Sequence, residues 1–332
     1  MKTVLVIGGG AIGCITAFKL VQRGYQVTIV DKGEIGQESS RAGGGILLPL
    51  LPWNYREEVN QLAFSGIAQH PALYQELLTQ TGIDPEYYVC GMEVLPPFDR
   101  ETALTWCAQH GVDAEMKSST LGESLWLPQV AQIRPPRLMR ALRAWLFKHG
   151  VRIIEHTEVQ APTAMGEVIW QTTAGELLPA EMTVVTTGAW AGRFLQDIYP
   201  APIKPIRGQI LQYQLTEQAF PHIYYQDGFY IIPRKDGVVI AGSTLEDVGF
   251  DKNITEEARE ALKRKSEAIV PQLKNQLIIK HWCGLRPGSP DNIPLMMRHP
   301  DIANLYFNVG HFRYGVTMAP ESAERLVQLM DA

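Results

Sequence analysis

The stretch that most constrains this chain is Lys2 to Asp31, KTVLVIGGGAIGCITAFKLVQRGYQVTIVD. A short apolar run, Val4 to Ile7, has the character of a parallel strand buried on both faces. Gly8, Gly10 and Gly13 follow it in G-x-G-x-x-G spacing. Ala11 to Gln22 then reads as a helix, and Gln26 to Val30 as a second strand that ends at Asp31. In this arrangement Gly8 permits the tight turn out of the strand. Gly10 lets a pyrophosphate approach the backbone, and Gly13 lets the helix pack on the sheet. Phosphates are favoured at the helix start by free N–H groups and the helix dipole. Asp31 follows Gly10 at about the ~20-residue distance expected of a carboxylate that binds ribose hydroxyls. Strand, glycine turn, helix and acid together indicate a dinucleotide site. They do not distinguish NAD from FAD.

At 332 residues with 45% hydrophobic content, the chain suits one large or two intimate domains. Its net charge of −5, with no basic block, argues against a nucleic-acid partner. Cys14, Cys90, Cys107 and Cys283 are far apart and form no C-x-x-C pair, so no metal site and no disulfide framework is expected. The glycine fingerprint inside the uncharged Thr3–Phe18 stretch sets it apart from a signal peptide. No run is long and apolar enough for an integral membrane segment, and a cytoplasmic location is expected.

Gly36–Gly45 reads as a loop of small residues, with Ser39, Ser40 and Arg41 as phosphate contacts and glycines that allow backbone to pass a flat ligand. Pro49 and Pro52 exclude a regular helix or central strand over the apolar Ile46–Tyr55 segment, which suits a cavity wall. Helices are expected at Glu57–Gln80, Glu101–His110, Pro136–His149 and Thr255–Ile269, the last with Thr255 as N-cap. Strands are expected at Arg152–Val159, Thr183–Thr187, Ile203–Leu215, Leu277–Trp282 and Asn304–Val309. An alternating segment covers Val168–Thr173, and Phe229–Gly242 folds into a hairpin at Lys235-Asp236-Gly237. Gly188 opens a small-residue turn after the Thr183–Thr187 strand that is a candidate second edge of the cofactor site. The fold class is mixed α/β. A discontinuous Rossmann-like domain (1–83, 134–200 and 285–332) holds the cofactor, and an inserted antiparallel-sheet domain (84–133 and 201–284) holds the substrate.

Six segments carry a more specific resemblance. They are GGGAIG at Gly8–Gly13, SSRAGGGILLP at Ser39–Pro49, TTGAWAG at Thr186–Gly192, YIIPRKDGVVIAGST at Tyr230–Thr244, GLRPGSPDNIPLMMRHP at Gly284–Pro300 and GHFRYGVTMAP at Gly310–Pro320. In order and over essentially the whole length, they resemble the FAD-dependent D-amino acid oxidase superfamily, most closely the glycine oxidases. The resemblance implies FAD as cofactor and a small amino acid or secondary amine as substrate. The Cα hydrogen passes as hydride to flavin N5, O2 reoxidises the flavin to give H2O2, and the imine hydrolyses. Homo-oligomerisation is left open, as is a dehydrogenase that passes electrons to a quinone or carrier.

The resemblance also implies roles for particular residues. Arg286 and Arg313 match the pair that binds the substrate carboxylate, and a planar guanidinium suits that task because it offers two parallel donors. Tyr230 matches a tyrosine lining the substrate site. Cofactor contacts carry over to Ala11 and Ile12 at the helix start, Asp31 and Lys32 at the ribose, and Ser39 and Ser40 at phosphate. Gly44, Gly45 and Ile46 would pass near the flavin ring, and Val159 would meet adenine through its backbone. His311, Phe312, Tyr314, Gly315, Val316 and Thr317 would close over the ring edge, with His311 shaping the loop rather than serving as a base. Many glycine oxidases carry methionine at Ile46 and asparagine at Tyr314, so the preferred amine is open. Cys283 stands about where monomeric sarcosine oxidases attach flavin. The surrounding GLRP resembles the non-covalent glycine oxidases, so non-covalent FAD is expected.

Overall fold

The computed structural model describes residues 1–119, 121–161, 169–216 and 220–332. The apolar run at the start becomes a central strand, Thr3–Ile7, with Val4 paired in parallel to Val27 on one side and to Met182 on the other. Side-chain alternation splits the run between two layers. Val4 and Val6 join a cluster with Phe18, Leu142 and Leu326. Leu5 and Ile7 join another with Val185, Leu195 and Phe307. Apolar side chains cover both faces, and so the strand carries no polar alternation.

This sheet has six strands in the order Leu295–Arg298, Leu305–Val309, Met182–Val185, Thr3–Ile7, Gln26–Val30 and Arg152–Ile154. All neighbours are parallel except Leu295–Arg298, which runs antiparallel to its partner. Helices Ala11–Gln22, Pro135–Lys148 and Gly315–Asp331 cover the Val4/Val6 face. Each buried leucine in that layer contributes about 2 kcal/mol by leaving water.

A second sheet has eight strands in the order Ile278–Gly288, Lys204–Gln214, Val238–Gly242, Phe229–Pro233, Ile223–Gln226, Met92–Val94, Gly122–Leu127 and Glu115–Ser119. Its neighbours are antiparallel apart from Ile223–Gln226 against Met92–Val94. Helix Glu256–Ile269 packs Leu262 and Ile269 on one face, and Thr255 caps it by accepting a hydrogen bond from Ala258 N–H. Two-residue strands Ile46–Leu47, Ala131–Gln132 and Tyr88–Val89 form a small third sheet. Among the described residues no helix is long and apolar enough to cross a membrane.

Four local expectations change. Ser39–Ala42 forms one turn of helix inside the loop after Asp31. The strand expected over Arg152–Val159 stops at Ile154, because the following backbone is drawn to that same loop. There His156 N–H donates to Gly33 O and Thr157 N–H to Asp31 O. Of the Val168–Thr173 alternation, Val168 lies outside the described residues, while Thr172 bridges Val159 and Gln171 bridges Leu177. The strand expected at Leu277–Trp282 continues to Gly288, since Lys204–Gln214 offers a partner along that whole length.

Candidate functional site

A cavity of about 780 Å3 is lined by residues of both large sheets. It begins at the glycine turn. Gly8 sits at φ +109°, and a Cβ there would lie 2.5 Å from Thr186 O. Thr186 Oγ1 donates to Gly8 O at 2.6 Å and clamps the turn from the next strand. Gly13 does not line the cavity; a Cβ there would lie 1.9 Å from Gly8 O, so this glycine serves helix–sheet packing. Asp31 accepts from Gly9 N–H through Oδ2 (2.7 Å) and from Gly33 N–H through Oδ1 (2.8 Å). Its carboxylate thus fastens the glycine turn to the next loop, with lone pairs left over for a ligand. Burial raises its pKa, while the two amides act in the opposite sense.

Ser40 Oγ accepts from Ala11 N–H at 2.8 Å, at the first turn of the Ala11–Gln22 helix. Lys32 places its ammonium 3.4 Å from the centroid of Trp190, a cation–π contact, and Trp190 stacks on Phe250. Gly188 adopts φ +54° beside it. Ile12, Ser39 and Val159 line the same cavity as Lys32, Gly188 and Trp190.

Farther along, Gly44 and Gly45 leave room that side chains would fill. A Cβ on Gly44 would approach Ile232 Cδ1 to 2.6 Å, and one on Gly45 would approach Ile133 O to 2.0 Å. The loop is held by Arg234, which is 2% exposed. Arg234 donates to Gly44 O (2.6 Å), to Ile133 O (3.2 Å) and to Gln132 Oε1. Burial lowers its pKa to about 10, so it remains a cation. Arg234 lies within the Tyr230–Thr244 segment, where the family resemblance implies no role for it. The available signal was a charge at the end of an otherwise apolar strand.

The segment His311–Thr317 also lines the cavity. His311 is 1% exposed and its Nε2 lies 2.8 Å from Ser322 Oγ, which donates to Asn308 Oδ1. That chain puts the ring proton on Nε2 and leaves Nδ1 as an acceptor. Burial pushes the His311 pKa down to about 3, consistent with a neutral ring. Phe312 is held at φ +41°, an uncommon conformation for a bulky residue. Thr317 Oγ1 donates to Ile46 O at 3.2 Å, joining this wall to the glycine loop.

Arg286, Arg313, Tyr230 and Tyr314 meet at the same cavity, as do Gly10, Gly315 and Val316. Arg286 is fixed by donation to Ser243 Oγ (2.6 Å) and Thr244 O (3.2 Å), and its guanidinium lies across Gly208. Burial lowers the Arg286 pKa; nearby Arg313 acts in the same sense and Tyr230 opposes it. Among the described residues, neither Arg286 nor Arg313 has a carboxylate within 4.0 Å, whereas most other arginines do. The Tyr314 hydroxyl donates to Tyr55 Oη at 2.6 Å and accepts from Leu50 N–H at 3.1 Å, so it presents its ring rather than its hydroxyl. Cys283 is absent from this wall. Its thiol donates to Lys252 O at 3.0 Å, and strand alternation sets it on the face opposite Arg286.

The wall suits a long ligand with a phosphate segment and a flat polar ring. Glycines leave backbone bare at both places, a helix N-terminus faces the cavity, and two cavity-lining residues carry buried atoms without partners among the described residues: Thr187 Oγ1 and His311 Nδ1. Comparison with known proteins agrees. The chain is 37% identical to the glycine oxidase of Pseudomonas putida over 99% of this chain and 94% of that protein. The Pseudomonas aeruginosa glycine oxidase gives the same identity and coverage. The crystal structure of glycine oxidase from Bacillus cereus superposes with a TM-score of 0.91 at 26% identity, covering 100% of this chain and 95% of that one. The family model described as "FAD dependent oxidoreductase" matches residues 3–329, so the chain belongs to that family and FAD is the cofactor its cavity is built to take.

Proposed function

We propose that this enzyme, an FAD-dependent oxidoreductase acting on amines or amino acids, oxidatively deaminates glycine, a small D-amino acid or N-methylglycine, with O2 as acceptor and H2O2 as product. One observation carries the reading. Arg286 and Arg313 both line the cavity, and among the described residues neither has a carboxylate partner within 4.0 Å. Two cavity-lining guanidiniums without an internal anion form a receptor for an external one. The likeness to the Pseudomonas glycine oxidases, whose names state their substrate, supports a small amino acid as that anion.

In this reading the guanidiniums grip the carboxylate and thereby fix the direction of the Cα–H bond. Ser243 and Thr244 keep Arg286 in place before substrate arrives. Tyr230 offers a hydroxyl at the same end, and the Tyr314 ring and the Leu48 and Leu50 side chains limit the room for a substrate side chain. The amine is taken in its neutral form, so no side-chain base is assigned, and His311 remains a structural neighbour. FAD, when bound, supplies the two-electron oxidation, and the imine released is hydrolysed by water to a keto acid and ammonia. Placement of the Cys283 thiol away from the cavity supports non-covalent FAD. We assign the cofactor domain to 1–83, 134–200 and 285–332 and the substrate domain to 84–133 and 201–284.

Amine-dependent peroxide formation by the FAD-loaded enzyme tests the reading. Peroxide with glycine, sarcosine or a small D-amino acid is expected. Dye reduction without peroxide would contradict the oxidase assignment, and no turnover with any of these amines would contradict the substrate class.

A further inference from the structure

The helix Gly315–Asp331 carries Pro320 within its second turn. Proline lacks an N–H, so the helical bond it would otherwise donate to the carbonyl four residues earlier, Val316 O, does not exist. A histidine from another helix occupies that place. His70 Nε2, on helix Glu57–Thr81, lies 3.0 Å from Val316 O. A carbonyl only accepts, so His70 carries its proton on Nε2. The residue is fully buried, and its Nδ1 has no partner among the described residues. Protonating that atom would strand a charge in the interior, and burial accordingly lowers the His70 pKa to about 4. One turn earlier on the same helix, a Cβ at Gly66 would lie 2.3 Å from Thr317 O. The two helices therefore approach closely at this point.

We propose that His70 is a positioning residue for the FAD site, replacing the backbone hydrogen bond that Pro320 deletes and so fixing the Val316–Thr317 turn at the cavity wall. Val316 and Thr317 line the cavity, and Thr317 Oγ1 reaches Ile46 O on the opposite loop. A slack turn would release that bond and loosen both walls. The assignment rests on FAD as cofactor and is independent of which amine is oxidised.

The test is a double-mutant cycle read by the FAD dissociation constant and by visible circular dichroism of the bound flavin, on the full-length chain. His70→Leu in the parent is expected to weaken FAD by about 10-fold, the worth of one hydrogen bond, and to alter the flavin signal. In the Pro320→Ala background the backbone N–H returns to Val316 O, and the same substitution is expected to change affinity by less than about 3-fold. His70→Gln, which keeps an N–H donor at similar reach, is expected to restore FAD affinity and the parental spectrum. An equal penalty in both backgrounds, or a folded His70→Leu variant with unchanged affinity and spectrum, overturns the proposal. Should His70→Leu not fold, His70→Gln decides: parental affinity supports the role, and an equal loss in both backgrounds overturns it. None of these readouts depends on amine turnover, so failure of the substrate assignment would leave them unaffected.

Discussion

Gly208→Ala offers a way to move a cation without removing it. Gly208 lies under Arg286, and a Cβ at that position would sit 2.2 Å from both Nη1 and Nη2 of Arg286. Ordinary van der Waals contact for a Cβ begins at about 3.4 Å, so the guanidinium must withdraw by about 1.2 Å. The clashing atoms are the far end of a flexible side chain, and Gly208 itself lies in the regular Lys204–Gln214 strand. The fold is therefore expected to survive, with the melting temperature lowered by a few degrees at most. Its distance to Ser243 Oγ, now 2.6 Å, would lengthen by a comparable amount, releasing Arg286 from its anchor. Misplacement of a positioning group by about 1 Å costs on the order of 10–100-fold in kcat/KM, or about 1.4–2.7 kcal/mol. The assay is steady-state peroxide production across glycine concentrations, with FAD content and melting temperature measured in parallel. A variant with normal FAD content and kcat/KM within 2-fold of the parent would refute the role given to Arg286.

Other outcomes follow from the same geometry. Arg313→Leu is expected to lower kcat/KM by at least about 100-fold through KM and kcat together while retaining FAD, because it removes one charge-assisted contact to the substrate; steady-state kinetics checks this. Gly13→Ala, whose Cβ would meet the Gly8 backbone carbonyl at 1.9 Å, is expected to lose FAD binding and several degrees of melting temperature, since neither backbone has room to yield. Acid precipitation is expected to leave all flavin in the supernatant, because the Cys283 thiol is turned toward Lys252 O; flavin in the pellet would contradict this. His311 and His70 have folded pKa values of about 3 and about 4, below the ordinary 6.5. The unfolded chain therefore binds more protons at acid pH, and their stabilisation, complete above pH 6.5, is lost as pH falls toward 4. The loss is about 2 kcal/mol per histidine by pH 5, and His70→Gln should flatten the fall in melting temperature between pH 6.5 and 4.

The parallel sheet was legible because its signal is local. A strand, three glycines, a helix and an acid lie within thirty residues, and each meets a separate physical demand. Arg286 and Arg313 were legible only through resemblance, since nothing local distinguishes a receptor cation from a surface ion pair. The second sheet was read in part. Its Phe229–Pro233 and Val238–Gly242 strands are apolar and continuous, but Met92–Val94 is too short to show a period, and its partners are distant in sequence. Three supporting contacts of the site are not set by any local pattern. Arg234 binds carbonyls of Gly44 and Ile133, Lys32 stacks on Trp190, and His70 bonds Val316 O. Each depends on a tertiary approach between residues far apart in the chain. Two leave a trace: Arg234 as a charge at the end of an apolar strand, and His70 in the proline that interrupts a helix four residues beyond the carbonyl it exposes.

The most direct test of the central claim is anaerobic mixing of the yellow holoenzyme with glycine, sarcosine and small D-amino acids, following the visible flavin band. Carboxylate binding by the two arginines requires bleaching by at least one of these amines in the parent and none in the Arg286→Leu/Arg313→Leu variant with FAD still bound. A parent whose bound flavin no amine bleaches, or a double variant that bleaches as fast as the parent, would contradict it.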